Sequence, residues 1–557
     1  MRTRGGERGA GHLWLLGGVA VGAVVTLALV LAALAFIDRG TPDTALDPPH
    51  FVDETATSGM NHSYRGGFDF FVGGGVAVFD CNGDQRPDVY LAGGEAPAAL
   101  YRNESTTGGD LRFEKISDPA TDMTSVTGAF PLDVDGDGLI DLAVVRFGEN
   151  VMLRGLGDCR FEPANQDWSV DGGNDWTVAF SAKWEEGASL PSLAFGNYVA
   201  LDESGNQDGC SDNYLIRPGG RTYGTPITLS PGYCTLSILF SDWDRSGRGD
   251  LRMTNDRHYY RDGEEQMWRV APGEAPRLYT AADGWQTMQI WGMGIANYDL
   301  TGDGLPEVFL TSQGDNKLQT LAAGPSEPDY EDVAFVRGAT AHRPFAGDVN
   351  LPSTAWHPEF EDVNNDGLVD LFVTKGNVEA QPDYAARDPN NLMLQNPDGT
   401  FTEAATSAGV LDFNRSRGAA LADLNSDGML DLIVVDREEP VKVWRSLGWG
   451  APGAPANMGH WLSLKLSQDR PNRDAIGAWM EVRVGNRTQQ RQVTVGGGHG
   501  GGQLGWVHFG LGSAREARVR VQWPDGDMGP WMKIQADQFV VLDRSADHPR
   551  TWIPPAG

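Results

Sequence analysis

Asp133-Val-Asp135-Gly-Asp137-Gly-Leu139-Ile-Asp141-Leu-Ala-Val decides how this chain is read, because the pattern returns along it. It recurs as Asp299-Leu-Thr301-Gly-Asp303-Gly-Leu-Pro-Glu307, as Asp362-Val-Asn364-Asn-Asp366-Gly-Leu-Val-Asp370 and as Asp423-Leu-Asn425-Ser-Asp427-Gly-Met-Leu-Asp431. Two looser copies complete the set. In Asp80-Cys-Asn82-Gly-Asp84-Gln-Arg-Pro-Asp88, glutamine stands at the sixth position, where the other copies have glycine; in Asp242-Trp-Asp244-Arg-Ser246-Gly-Arg-Gly-Asp250, serine stands at the fifth. Self-similarity at a period near 40–60 residues marks a propeller or an array.

The gap between the copies at 133 and 242 is about two periods. Inside it Trp184-Glu185-Glu186-Gly187, followed by Leu193-Ala-Phe-Gly196, keeps the apolar frame of a repeat without its ligands. That predicts seven repeats. A second marker agrees: Phe51-Val-Asp-Glu-Thr-Ala-Thr-Ser-Gly-Met is answered by Phe401-Thr-Glu-Ala-Ala-Thr-Ser-Ala-Gly-Val, with partial echoes at Phe113 and Tyr330. Each repeat consists of short apolar runs around turns rich in Asp, Asn and Gly, which is hairpin chemistry. Four-stranded units repeated seven times close into a ring and so avoid long exposed edges. The expected fold is all-β, with a seven-bladed β-propeller over residues 51–449, a linker at 450–457, a small β-sandwich at 458–545 built on the alternating segments from Trp461, Trp479 and Ala517, and a tail at 546–557.

The acidic loops set the expected chemistry. Calcium takes six to eight oxygens at about 2.3–2.6 Å, and a nine-residue loop with oxygen-bearing side chains at positions 1, 3, 5 and 9 and a carbonyl at 7, here Leu139 in the second repeat, supplies most of that shell. Glycine at position 6 permits the tight turn. The loop lacks the Glu at position 12 that a helical EF-hand requires. The six windows hold nineteen carboxylates, a crowd that repels itself unless cations intervene. Calcium is therefore the expected cofactor, with its ligands at the numbered loop positions quoted above.

Of 557 residues, 76 are acidic and 44 basic, for a formal charge of −32. Such a balance argues against nucleic acid or an anionic lipid surface as partner. Arg2, Arg4 and Arg8 precede an uncharged apolar run from Leu13 to Ile37. That run is long enough to cross a bilayer and longer than a signal-peptide core. Residues 1–11 are thus expected in the cytoplasm, 12–37 as a transmembrane anchor and 38–50 as a linker, with the body periplasmic or extracellular. Cleavage after Ala33-Leu-Ala35 would instead give a secreted form. Cys81, Cys159, Cys210 and Cys234 include no Cys-x-x-Cys pair. An exported compartment permits disulfides; Cys210 with Cys234 is the favoured bridge, as both fall in one repeat, and buried free thiols are the alternative.

The loops resemble the FG-GAP calcium repeats of integrin α-subunit propellers, and the chain resembles the ASPIC and UnbV family, to which cartilage acidic protein and its bacterial relatives belong. Asn472-Arg-Asp474-Ala-Ile-Gly477, His508-Phe-Gly-Leu-Gly512 and Val521-Gln-Trp-Pro-Asp-Gly526 carry the second likeness. Gly496-Gly-Gly-His499-Gly-Gly-Gly502-Gln503 departs from it, since the family more often has an aromatic and a serine there. The resemblance implies extracellular, calcium-dependent binding of a protein or glycan, or a place in a membrane complex.

No His-Glu-x-x-His, Gly-x-Ser-x-Gly or P-loop occurs, and the Gly-x-Gly-x-x-Gly match at Gly448 meets prolines where a helix would have to follow. No enzymatic role is expected. The alternative is a hydrolase or redox subunit using His258, His342 and His357 at the channel mouth, among Trp285, Trp291 and Trp356; the competing expectation is that these aromatics wedge the repeats together.

Overall fold

The computed structural model describes residues 45–201, 207–256, 263–340, 352–378, 385 and 387–555. The expected anchor at 12–37 lies outside them, as do His258 and His342. Among the described residues no helix is long and apolar enough to cross a membrane.

Among the described residues, seven sheets of four antiparallel strands follow one another from Phe51 to Ser446, the first of them extended by a parallel fifth strand, Gly502–Gln503. Their first strands are Val76–Phe79, Val126–Leu132, Thr177–Lys183, Thr235–Ser241, Gly292–Tyr298, Ala355–Glu361 and Ser416–Ala422. These seven touch one another in cyclic order, the last returning to the first, so the arrangement is propeller-like. The innermost strands are covered on both faces and are buried almost throughout, which explains why their sequences read as apolar runs rather than alternating patterns. Phe113–Ile116, Phe161–Pro163, Tyr330–Asp332 and Phe401–Glu403 are all outermost strands. Phe51–Asp53 supplies the outermost strand of the last sheet, pairing with Trp444–Ser446. The aromatic marker in the sequence therefore labels fourth strands, and the copy at Phe51 fastens the ring across its two ends.

The third sheet forms without an acidic loop: Thr177–Lys183 pairs with Ser192–Asn197, and Trp184 to Pro191 occupies the connection. Cys210 is joined to Cys234, and Cys81 to Cys159. The favoured pair does not lie within one repeat. Cys210 ends a two-stranded excursion from the third sheet, and Cys234 immediately precedes the fourth. Cys81 and Cys159 link the first sheet's acidic loop to the second sheet's outer turn.

Two further four-stranded sheets, centred on His460–Ser467 and on Trp479–Val484 with Glu516–Gln522, face each other across Leu462, Leu464, Met480, Val519 and Val540. This is the sandwich. It runs past the expected boundary at 545, because Arg550–Trp552 pairs with Gln538–Asp543 and Trp552 stacks on Trp506, 5.6 Å between ring centroids. The tail is held by that apolar contact. The segment expected as a linker is folded on itself, with Trp449 N–H donating to the Ala456 carbonyl at 2.9 Å.

The sandwich also fills the ring. Val495 to Gln503 leaves it, enters the channel and bridges Ala182, Leu239, Ile295, Ala129, Ala77 and Val78, which lie on the inner strands of five sheets. Where the segment comes closest to the inner strands only glycine fits: a Cβ on Gly75 would stand 1.7 Å from the Gly500 carbonyl oxygen, and one on Gly128 would stand 2.0 Å from it.

Candidate functional site

The six acidic loops each connect the first and second strands of a sheet and therefore lie together at one end of the ring. Their internal bonding repeats. The position-1 carboxylate accepts main-chain N–H groups from the middle of its own loop: Asp133 from Asp137 (3.1 Å) and Gly138 (2.9 Å), Asp299 from Gly302 (2.8 Å) and Gly304 (3.0 Å), Asp362 from Asp366 (3.1 Å) and Gly367 (2.6 Å), Asp423 from Asp427 (3.0 Å) and Gly428 (2.8 Å). The looser loops do the same, Asp80 holding Gly83 and Gln85, and Asp242 holding Gly247. Position 5 caps position 7, as Asp137 Oδ1 does for Leu139 N–H (2.8 Å) and Asp303, Asp366, Asp427 and Asp84 do in their loops. Position 6 is left-handed in all six, including Gln85 at φ 72°.

Position 9 has a role that sequence spacing did not reveal. Both oxygens of Asp141 accept main-chain N–H groups, from Val134 (2.7 Å) and Gly155 (2.8 Å), which ties the loop to the third strand. Asp88, Asp370 and Asp431 are used likewise, while Glu307 reaches Leu300 N–H and the Thr320 hydroxyl. A carboxylate oxygen has a second lone pair, so this stapling is compatible with a metal ligand.

The loops fit a hard cation. Ligand atoms of Asp133, Asp135 and Asp141 lie within 4.8 Å of one another. Asp135 Oδ1, Asn425 Oδ1 and Asp427 Oδ2 are shut off from solvent without a hydrogen-bond partner, an arrangement costly for polar atoms. Burial, reinforced by Asp474 and the neighbouring loop carboxylates, pushes Asp133 up to about 7. Burial similarly raises Glu307 to about 7 and Asp299 and Asp427 to about 6, and holds Asp141, Asp362, Asp370, Asp423 and Asp431 well above the usual range. Thr301 donates its main-chain N–H to Glu307. Asn364 and Asp366 also meet the N-terminal segment, through the carbonyl and N–H of Leu46. The proximity of Cys81 and Cys159 to Asp88 is that of a disulfide.

The sandwich sits on these loops. Gln490 donates to Asp299 (3.1 Å), Gln492 accepts from Asp242 N–H (3.1 Å), and Trp506 donates to the Gln85 carbonyl (2.8 Å). His508 Nε2 donates to Asn365 Oδ1 (2.6 Å). Gly428 lies against the Trp461 indole and Gly136 against the Pro471 carbonyl, closely enough that neither admits a Cβ without a shift. Beside the third sheet, where Trp184 to Leu190 replaces an acidic loop, a cleft of about 1430 Å³ opens, lined by Trp168, Trp184, Arg221, Arg470 and Pro524.

The channel residues are packed. Trp356 is fully buried, with the Arg417 guanidinium 4.0 Å above its ring and His499 at 5.1 Å. Trp285, expected at the channel mouth, lies away from it, wedged between the fourth and fifth sheets against Tyr330 of an outermost strand and the Arg252 guanidinium. His357 Nδ1 accepts from His499 N–H and its Nε2 faces Glu359.

These features define an all-β, propeller-like ring with a β-sandwich docked on its acidic loops and plugging its channel. Residues 468–549 match the ASPIC and UnbV family, and residues 362–434 the FG-GAP-like repeat family. The chain is similar to cartilage acidic protein 1 of Mus musculus, 24% identical over 492 residues that cover 82% of this chain and 71% of the mouse protein. Its likeness to cartilage acidic protein 1 of Homo sapiens is 26% over 242 residues, 42% of this chain and 33% of that one. Among solved structures, an Agrocybe aegerita lectin that recognises non-reducing terminal N-acetylglucosamine aligns with TM-score 0.39 and 15% identity, over 68% of this chain and 92% of the lectin. BBS1N in complex with ARL6DN aligns with TM-score 0.41 and 11% identity, over 75% and 100%.

Proposed function

We propose that this chain is a calcium-stiffened, seven-bladed β-propeller acting outside the cytoplasm as a binding or assembly module, held to a membrane through residues 12–37, with no catalytic role of its own. The observation that carries the reading is the set of regular loops, two of which bury oxygens without a hydrogen-bond partner, Asp135 Oδ1 in one and Asn425 Oδ1 and Asp427 Oδ2 in the other. Two disulfides support an oxidising compartment. The sandwich covers the acidic end, so calcium in this reading rigidifies the joint rather than bridging to a ligand. A protein or glycan partner then has the cleft beside Trp184, whose size and lining of half-buried Trp184 with exposed Arg221 and Arg470 suit such a group.

The test has two arms. Metal analysis of purified protein should find calcium, and chelation should lower the melting temperature; metal-free protein with unchanged melting would sink the calcium part. A glycan and peptide array probed with the wild type and with Trp184→Ala should show binding that the variant loses; equal signals from both would remove the cleft from the reading.

A further inference from the structure

Position 7 separates the six loops into two kinds. It is Leu139, Leu305, Leu368 or Met429 in four of them, and Arg86 or Arg248 in the two loose copies. The Arg248 side chain folds back over its own loop. Its Nε lies 3.1 Å from Asp250 Oδ1, and its terminal nitrogen lies 3.1 Å from both Asp244 Oδ2 and Asp250 Oδ2. Asp250 is also held by Trp243 Nε1 (3.1 Å), the Tyr279 hydroxyl (2.7 Å) and Val270 N–H (3.0 Å). Arg86 does the same in the first loop, with Nε at 3.0 Å and a terminal nitrogen at 2.7 Å from Asp84 Oδ2, while its other terminal nitrogen donates to the Ser105 carbonyl (3.0 Å). Asn82 turns its amide nitrogen, a donor, toward that same Asp84 oxygen (3.2 Å).

The orphaned oxygens fall on one side of that division, in two of the four loops with Leu or Met at position 7. Among the described residues, loop side-chain oxygens buried without a partner occur at Asp135, Asn425 and Asp427, in loops with Leu or Met at position 7; none occurs in the loops that start at Asp80 and Asp242. A guanidinium is a planar, permanently charged donor fork suited to carboxylates. Delivered by the chain, it neutralises a carboxylate cluster without an ion.

We infer that Arg86 and Arg248 are built-in cations that take the place of calcium in their loops, so that the first and fourth sheets are metal-independent and the chain binds no more than four ions. This rests on the calcium reading of the other loops. The loose copies are thus a second, working solution to the same crowding of charge, and their substitutions belong together: Ser246 removes a carboxylate that the arginine does not need, and Gln85 braces Asp80 through its side chain (3.3 Å).

The test is ion counting by equilibrium dialysis against calcium alone, on the wild type, on Arg248→Leu with Ser246→Asp, and on Arg86→Leu, with melting followed in chelator and in millimolar calcium. The inference expects one to four ions in the wild type and one additional ion per chain in at least one variant. It also expects each variant to melt lower than wild type in chelator and to recover part of that loss in calcium. Five or six ions in the wild type would overturn it while leaving the calcium reading intact, as would variants that melt cooperatively but gain no ion and no calcium-dependent recovery. If one variant fails to fold, the other and the wild-type count still decide. No calcium in the wild type would instead overturn the calcium reading on which the inference stands.

Discussion

The main-chain N–H of His499 donates to Nδ1 of His357 at 3.1 Å, in the middle of the ring. The bond fixes the proton of His357 on Nε2, toward Glu359, and Gly73 N–H donates to His499 Nε2 at 3.1 Å, leaving the His499 proton on Nδ1 toward Met293. Burial and the Arg417 charge depress His499 to about 3, so its imidazole is neutral in the joint. His499→Ala should leave Gly73 N–H unpaired and open a cavity beside Trp356, costing about 2–4 kcal/mol by chemical denaturation. A loss under about 0.5 kcal/mol would show that the loop is not anchored there.

Gly75→Ala places a methyl group where the Gly500 carbonyl lies. It should destabilise the protein by about 3 kcal/mol and expose Val495 to Gln503 to limited proteolysis. Intact resistance in that loop would contradict the packing described here.

Calcium's effect should depend on pH in a definite direction. Asp133 and Glu307 are raised to about 7, and Asp299 and Asp427 to about 6, above the unfolded carboxylate range near 4. In metal-free protein these groups therefore contribute stability at low pH that is lost as pH rises through about 6–7. Calcium must displace those protons, so its stabilisation should be small at pH 5 and larger at pH 8, reaching about 0.4–1.4 kcal/mol per site at millimolar ion for extracellular-type affinities. Melting with and without calcium at both pH values measures this. A pH-independent increment would count against the loops as the binding sites.

The two disulfides should differ in weight. Cys81–Cys159 spans 78 residues and Cys210–Cys234 spans 24. On loop-closure entropy alone the paired serine substitution at 81 and 159 should cost about 1 kcal/mol more than that at 210 and 234. Urea denaturation of the two double variants gives the comparison; the reverse order would mean that native-state contacts, not chain entropy, set the difference.

Arg491 pairs with buried Glu361 between sandwich and ring. Arg491→Met should strand that carboxylate and cost about 3–5 kcal/mol, with Glu361→Gln in the same chain recovering part of the loss. Absence of recovery would locate the effect in packing alone.

The repeats were legible because each is a local unit: the Asp-x-Asx-x-Asp-Gly loop announces a turn wherever it stands, and even Trp184-Glu-Glu-Gly kept enough of the frame to mark the third sheet. What lay hidden was set by distance in sequence. Nothing near Gly496 says that its partners are Phe180 and Ile238, although the unusual glycines at Gly75, Gly128 and Gly501 are the two halves of one fit. The stapling by Asp141 needs the position of Gly155, and the pairing of Arg550–Trp552 needs Trp506. Arg248 was visible as a residue but not as a cation turned inward, since a side chain's direction is not written in its spacing.

The glycine loop also constrains how the protein is made and how it can vary. Ring closure requires Phe51 to meet Ser446, yet the segment that fills the bore, Val495 to Gln503, leaves the ribosome after every strand of the ring. The ring must accept its axle after, or while, it is assembled, and a chain stopped at 449 would have an empty hub. An inheritable change in the hub must satisfy five sheets at once. The two parts therefore cannot be traded separately between relatives, as ordinary beads-on-a-string domains are; they should be lost, duplicated and transferred as one piece.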